Sequence, residues 1–438
     1  MSSSLSPLGA NMPLKIAIAG VTGFRNRGVE ALVRPTVEQI LTRFPNAEIQ
    51  IATRSVDYDQ KRLRHSRIAY VEDALLKCGH WVPPSAPVSI HRPLWKRAVW
   101  KAVRTLGLSK SNPQIRAEVA EMPFDSPDLL IITGGDIYSS DYGTNSLRHF
   151  LHPVEWAQSR NIPCILLAHS IGVFKGADDI SIWKRVESAA SRITLRDSLT
   201  GKYLKEELGA DSRLYEVTAD TAFLLKSDPA VASRQLSFAT GPTVALSISA
   251  GICEWTGGNY EQHLQTWVQL VRMILEQWGA KVAIIPHVQE PHSDDRIVSS
   301  EVFRALGYDP RVRVFSEDLS AAEYKGIIEN CEMVIAERMH AAIAGLSTGV
   351  CTVPIGYSIK AKGITEMVLE SSQIDADSLV MPLEFFIDFN RSAERLTAIW
   401  KDRFLYRDAI RSSADKLRVD VMRNFEVIEA LLNRGRRE

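Results

Sequence analysis

The feature that most narrows the fold is an alternation, made twice over, of short apolar runs with segments long enough for a helix. In the first half the runs are Lys15 to Ala19, Glu48 to Ala52, Asp128 to Gly135 (DLLIITGG) and Pro163 to Ser170 (PCILLAHS), the last two separated by LRHFLHPVEWAQSR. The shorter SRITLRD and YEVTAD close this half. Such runs, spaced by helical stretches, predict parallel strands joined by crossover helices. The stretch 226–241 is polar and rich in small residues and reads as a linker. The pattern then restarts with TVALSIS, KVAIIPH, RVRVFS, CEMVIAE and VCTVPIGY. The expectation is therefore α/β: two Rossmann-like doubly wound parallel-sheet domains, 14–225 and 242–386, facing across a cleft in a GT-B-like arrangement. Leu417, Val421, Phe425, Ile428 and Leu432 recur at helical spacing, so 387–438 is expected to form helices that pack back on the first domain. Residues 1–13 are expected to be disordered.

Open parallel sheets bind ligands at the carboxyl ends of their strands, where loops and helix N-termini converge. Lys+Arg and Asp+Glu balance at 52 each, so no global field favours nucleic acid and any anion must be held locally. The cysteines Cys78, Cys164, Cys253, Cys331 and Cys351 show no paired spacing, which points to a reducing compartment and away from structural zinc. The opening residues lack the basic start and apolar run of a signal peptide, and no run is long enough to span a membrane, so a cytoplasmic protein is expected.

An insertion at about 88–112 carries Arg92, Lys96, Arg97, Lys101, Arg104 and Lys110 interleaved with Leu94, Trp95, Val99, Val103 and Leu106. It reads either as a basic amphipathic helix suited to peripheral contact with an anionic membrane at the inner face of the plasma membrane, or as a helix whose apolar stripe packs on the first domain.

The most informative stretch is Cys331 to Gly363, CEMVIAERMHAAIAGLSTGVCTVPIGYSIKAKG. A strand ends near Ile335, Arg338 and His340 stand at the entrance of an Ala-rich helix, and Lys360 follows the next strand. This stretch resembles the polysaccharide pyruvyltransferase family, ketal pyruvyltransferases of exopolysaccharide and cell-wall polymer synthesis, in its R-M-H-A, small-residue helix, G-V and Y-x-x-K-x-x-G. The resemblance continues through GFRNRGVEAL, IITGGD, HSIGVF, ITLRDSLTGKYLKEELGA, VTADTAFLL and IIPHVQEPHSDD, over roughly residues 15 to 370. Val29 stands where the family has an acidic residue, Val173 and Ile359 where it has prolines. The loss at Val29 removes a carboxylate from the cleft, with Glu30 the residue placed to take it over.

The resemblance implies an enzyme that transfers the pyruvyl group of phosphoenolpyruvate onto a sugar diol of a polysaccharide or its lipid-linked precursor, releasing phosphate. Phosphoenolpyruvate would be a co-substrate, with no cofactor and no obligatory metal. Arg196, Arg338, Lys360 and the backbone at Met339 would hold its two anionic ends, since guanidinium forks bond carboxylate and phosphate bidentately. His340 is the general-acid candidate for the methylene carbon. His169 is either a base facing the acceptor or a buried imidazole bonded to a carbonyl. Asn26, Glu30, Gly134, Gly135 and Asp136 are the acceptor-side candidates, Asp136 alternatively a helix cap. His287, Asp294 and Asp295 read as a surface loop with no metal motif. Two rivals remain on the same architecture: a nucleotide-sugar glycosyltransferase, and a non-catalytic scaffold of a polysaccharide assembly complex. The turn GVTGFRNRG also resembles that of NAD(P)-dependent sugar epimerases, but Asn26 occupies the place of the third glycine that such a turn requires.

Overall fold

The computed structural model describes residues 13–77, 121–230, 241–256, 258–291, 293–356 and 359–435. The basic insertion, Tyr357, most of the N-terminal stretch and residues 231–240 lie outside them. No helix among the described residues is long and apolar enough to cross a membrane.

The first sheet is built from β1 (Lys15–Val21), β2 (Glu48–Thr53), β3 (Ile68–Glu72), β4 (Leu129–Ile132), β5 (Cys164–His169), β6 (Arg192–Leu195) and β7 (Tyr215–Val217). Its order is β3-β2-β1-β4-β5-β6-β7, every pair parallel. The second half supplies β8 (Thr243–Ser247), β9 (Lys281–Ile284), the small hairpin β10 (Gln289–Glu290) and β11 (Ser293–Asp294), then β12 (Val312–Val314), β13 (Met333–Ala336), β14 (Cys351–Gly356) and β15 (Met381–Pro382). The second sheet runs β12-β9-β8-β13-β14-β15, again parallel. Central strands such as β4 and β8 are buried along their whole length, because helices cover both faces, and that is why they read as uninterrupted apolar runs. The edge strand β3, IAYVE, is half-buried and mixed in character, so hydrophobic pattern alone passes over it.

In both sheets the order in which strands are added reverses at the first strand. The switch points lie between β1 and β4 in one domain and between β8 and β13 in the other, where a crevice opens at the carboxyl edge. The domains are packed together, not merely tethered. Val29, Leu32 and Val33 of the helix Arg27–Arg43, Ala222 and Leu225, and Ala321, Ile343 and Leu346 of the second domain belong to one buried apolar cluster.

The C-terminal extension divides its loyalties, which corrects the expectation that all of 387–438 lies on the first domain. The helix Phe389–Lys401 stays on the second domain, where Trp400 stacks on Trp278 with ring centroids 4.8 Å apart. Leu396 and Ile399 are buried with it, so its stripe is already spent. The last helix, Ala414–Gly435, does return: Asn424 Nδ2 donates to the Ala219 carbonyl (2.9 Å), and Thr194 and Thr218 donate to Asn424 Oδ1 at 2.6 and 2.9 Å.

Candidate active site

At the carboxyl edge of β13 the chain turns into the helix Met339–Ser347, with Arg338 at its N-cap and His340 in its first turn. Arg338 reaches back across the edge to Asp295, with Nε to Oδ2 at 3.0 Å and Nη2 to Oδ1 at 2.7 Å, and also bonds Ser293 Oγ at 3.2 Å. Asp295 takes a further bond from the Val288 amide (2.9 Å), and burial pushes its carboxyl up against the pull of Arg338. His287 and Asp295 thus do not lie on a surface loop, as their polar surroundings in the sequence suggested. His287 and Asp295 are buried, and the chain around them forms the wall behind Arg338.

On the facing edge, β6 delivers Arg196, whose side chain is almost wholly buried. Its Nη1 bonds Asp220 Oδ2 at 2.7 Å and its Nε bonds Ser170 Oγ at 2.8 Å. Ser170 in turn donates to Asp197 Oδ2 at 2.6 Å. The guanidinium is therefore fixed by a chain of buried acceptors, as a preorganised anion holder requires. Gly135 is the residue that makes room for it. A Cβ there would lie 2.9 Å from Arg196 Nη1, and its φ of +72° belongs to glycine's region.

The two edges meet at His340. Its Nε2 lies 3.9 Å from Asp220 Oδ2 and has no hydrogen-bond partner, although it is buried. On its other side the helix Arg27–Arg43 comes so close that a Cβ on Gly28 would lie 2.3 Å from His340 Nδ1. Burial lowers the imidazole's pKa and Arg196 lowers it further, against the opposing pull of Asp220 and Asp136. An anion arriving beside it would reverse that balance. Nearby, Lys360 Nζ bonds Asp136 Oδ2 at 2.9 Å and stands 3.4 Å from Asp141, while the Tyr142 hydroxyl donates to Asp136 at 2.9 Å. Burial alone would push the Asp136 carboxyl up; Lys360 and Arg196 hold it well below the usual carboxylate range.

Arg196, Arg338, His340, Lys360, Gly134, Gly135 and Asp136 therefore stand at the facing edges. Three other residues singled out from sequence have different occupations. The His169 ring is fully buried, its Nε2 3.0 Å from the Ile132 carbonyl, and burial lowers its pKa to about 4. It is packed as a neutral imidazole bonded to a carbonyl, not as a base facing an acceptor. Asn26 caps the helix Arg27–Arg43 by accepting from the Gly28 amide (3.0 Å), and pairs its backbone with Val288 of the other domain. Glu30 is fully buried between Arg34 (3.2 Å) and the Ala321 amide (3.2 Å), so it joins the domains and does not replace the carboxylate absent at Val29. The Arg27 amide bonds the His287 carbonyl and the Gln289 amide bonds the Arg25 carbonyl, at 3.0 and 2.9 Å, closing the same seam.

Two features escaped the sequence. Asp220 holds Arg196 and faces His340; its signal was VTADTAFLL, where a strand-end Asp looks like a helix cap, which it also is for the turn Thr221–Leu224. Behind Arg338, the Glu337 side chain is fully buried and accepts from the Ser249 amide (2.6 Å) and Trp267 Nε1 (3.0 Å) while pairing with His263 Nε2 at 2.6 Å. Burial works against the His263 charge, yet Glu337 pushes its pKa up to about 10. No spacing in the sequence joins residues 263 and 337.

Solved structures share this architecture. A UDP-N-acetylglucosamine 2-epimerase is 12% identical with a TM-score of 0.56, the match covering 98% of each chain. The Neisseria meningitidis UDP-GlcNAc 2-epimerase bound to UDP-GlcNAc gives 10% and 0.52, over 94% of this chain and 99% of that one. The Methanocaldococcus jannaschii enzyme in complex with UDP-GlcNAc and UDP gives 12% and 0.53, over 89% and 93%. At such identities the likeness is one of fold: two Rossmann-like domains in the GT-B-like arrangement. The sequence itself matches the family described as polysaccharide pyruvyl transferase over residues 16–359, which takes in both sheets but for the edge strand β15, and every cleft residue named above except Lys360, one position beyond. The chain belongs to the polysaccharide pyruvyl transferase family and is a transferase enzyme.

Proposed function

We propose that this protein takes the pyruvyl group from phosphoenolpyruvate and sets it as a ketal on two hydroxyls of a sugar in a polysaccharide or its lipid-linked precursor. Family membership carries pyruvyl transfer to a polysaccharide as the general activity. The finer reading rests above all on His340. A buried imidazole nitrogen without a partner, on the second domain and within the field of the Arg196 guanidinium of the first, is the arrangement that protonating a carbon beside two anionic groups calls for.

In the proposed reaction His340, protonated as the dianionic donor binds, delivers its proton to the methylene carbon. The double-bond electrons form the new C–H bond, and the central carbon becomes oxocarbenium-like. One sugar hydroxyl adds to it, phosphate leaves with the C–O electron pair, and a neighbouring hydroxyl closes the ketal. The two hydroxyl protons pass to His340 and to the departing phosphate or solvent. Arg196, Arg338, Lys360 and the Met339 amide hold the donor's carboxylate and phosphate. As written, the reaction asks for no cofactor. Gly134, Gly135 and Asp136 lie where the acceptor would approach, and Asp136, ionised by its neighbours, suits a sugar hydroxyl.

Heat stability in the presence of ligands tests this reading. A ligand bound only by the folded state raises apparent stability by mass action. Phosphoenolpyruvate is expected to stabilise the protein saturably, and UDP-sugars and NADP are not. Saturable stabilisation by UDP alone would favour the glycosyltransferase reading. Phosphate release from phosphoenolpyruvate across a panel of lipid-linked or aryl glycosides would identify the acceptor, and none with any acceptor would favour a scaffold.

A further inference from the structure

Several of the buried polar atoms without partners lie along one edge of the second domain. Ser247 and Ser249 at the end of β8, His287 just past β9 and His340 past β13 each leave a side-chain polar atom without a hydrogen bond. These strands are neighbours in the sheet, so all four residues stand along one carboxyl edge. His287 is the extreme case: it is 3% exposed, and neither Nδ1 nor Nε2 has a partner. Leaving such groups unsatisfied costs free energy, and native interiors rarely do so unless a ligand, ion or bound water supplies the missing atoms or the group serves the chemistry.

The position of His287 is tightly set. Its carbonyl accepts from the Arg27 amide, and the next amide, Val288, is held by Asp295, the residue that orients Arg338. Its ring stands beside Tyr324, with centroids 6.1 Å apart. Burial lowers its pKa well below the ordinary value, and the charges of His340, Arg27 and Arg338 act in the same direction. A neutral imidazole among cations keeps one N–H to donate, and an anion is the partner these surroundings favour.

We infer that His287 is a second imidazole of the donor site, donating a hydrogen bond to an anionic oxygen of phosphoenolpyruvate beside His340. The inference rests on the pyruvyl-transfer reading above. Leu is close to His in volume and has no polar atom, so His287→Leu removes the unsatisfied nitrogens and should leave the melting temperature unchanged or higher. The same variant should need at least about 10-fold more phosphoenolpyruvate for half-maximal stabilisation, with KM rising more than kcat falls. His287→Gln, which keeps an N–H donor, should be impaired less than the leucine variant. If the leucine variant does not fold, a several-fold weaker response of folded His287→Gln to phosphoenolpyruvate carries the inference. Unchanged affinity in a folded His287→Leu protein, or in folded His287→Gln where Leu fails, would make His287 a packing residue and overturn it. Absence of any response in the wild-type protein would instead bring down the pyruvyl-transfer reading, and this inference with it.

Discussion

Asp136 and Lys360, carried by different domains, meet in an ion pair of 2.9 Å across the cleft. The lysine expected to hold donor and the aspartate expected to hold acceptor are thus each other's partner. Substrate binding has to share or replace this pair, which couples the two half-sites. Lys360→Ala should weaken phosphoenolpyruvate binding and Asp136→Asn should raise KM for the acceptor. The double variant should depart from additivity by about 0.5–3 kcal/mol, as contacting charges do. Additive losses in steady-state kinetics would show that the pair is not maintained during turnover.

His340→Gln should lower kcat by about two to four orders of magnitude, the usual contribution of a general acid, with a smaller effect on phosphoenolpyruvate affinity. Arg196→Ala should do the opposite, weakening affinity strongly, and it also strands the Asp220 carboxylate that the guanidinium now satisfies. Near wild-type turnover in folded His340→Gln would remove His340 from the chemistry.

Gly28→Ala tests the closeness of the two domains at the imidazole. The new Cβ would fall 2.3 Å from His340 Nδ1, so the ring must turn or the helix must retreat. A loss of kcat of the order expected for His340→Gln is predicted, while circular dichroism remains that of a folded protein. Alanine at Gly28 with full activity would mean that the helix and His340 do not meet in the working enzyme.

Activity should record the lowered pKa of His340. The free enzyme's kcat/KM reports the unliganded acid, so its decline with rising pH should begin below the ordinary imidazole value of 6.5. Bound dianion favours imidazolium, so the decline in kcat should lie at higher pH. Profiles measured between about pH 5 and 9 check this, and coincident limbs would count against His340 as the titrating acid.

Stability should carry the mark of the His263–Glu337 pair. The folded-state pKa of His263 is raised from 6.5 to about 10. Its contribution is therefore complete below pH 6.5 and disappears as the pH rises through about 10. The melting temperature of wild type relative to His263→Gln should shrink over that window. A difference constant with pH would show that the pair does not change charge there.

Much of the site was legible because of how parallel strands work. DLLIITGG, SRITLRD and CEMVIAE each end in a turn, and a parallel strand places that turn at the sheet's carboxyl edge whatever the rest of the fold does. Gly135, Asp136, Arg196, Arg338 and His340 were found that way. His169 and His340 show where this stops. Both follow apolar strand runs, yet His169 is bonded through Nε2 to the Ile132 carbonyl inside its own domain, whereas His340 Nε2 stands 3.9 Å from Asp220 of the other domain. His169 is the last residue of its strand and His340 lies in the first turn of the helix that follows its own, and only the fold decides which neighbours each one meets.

The sequence by itself determined two doubly wound sheets, the order of their strands along the chain and the residue types at each edge, because these follow from local periodicity and from residues next to one another. The tertiary structure alone decided which charges neutralise which. Arg338 is bound by Asp295, 43 positions away, and Lys360 by Asp136, 224 positions away. Coulomb interactions and desolvation depend on distance through space and on exclusion of water, and neither quantity is written in the spacing of residues along a chain.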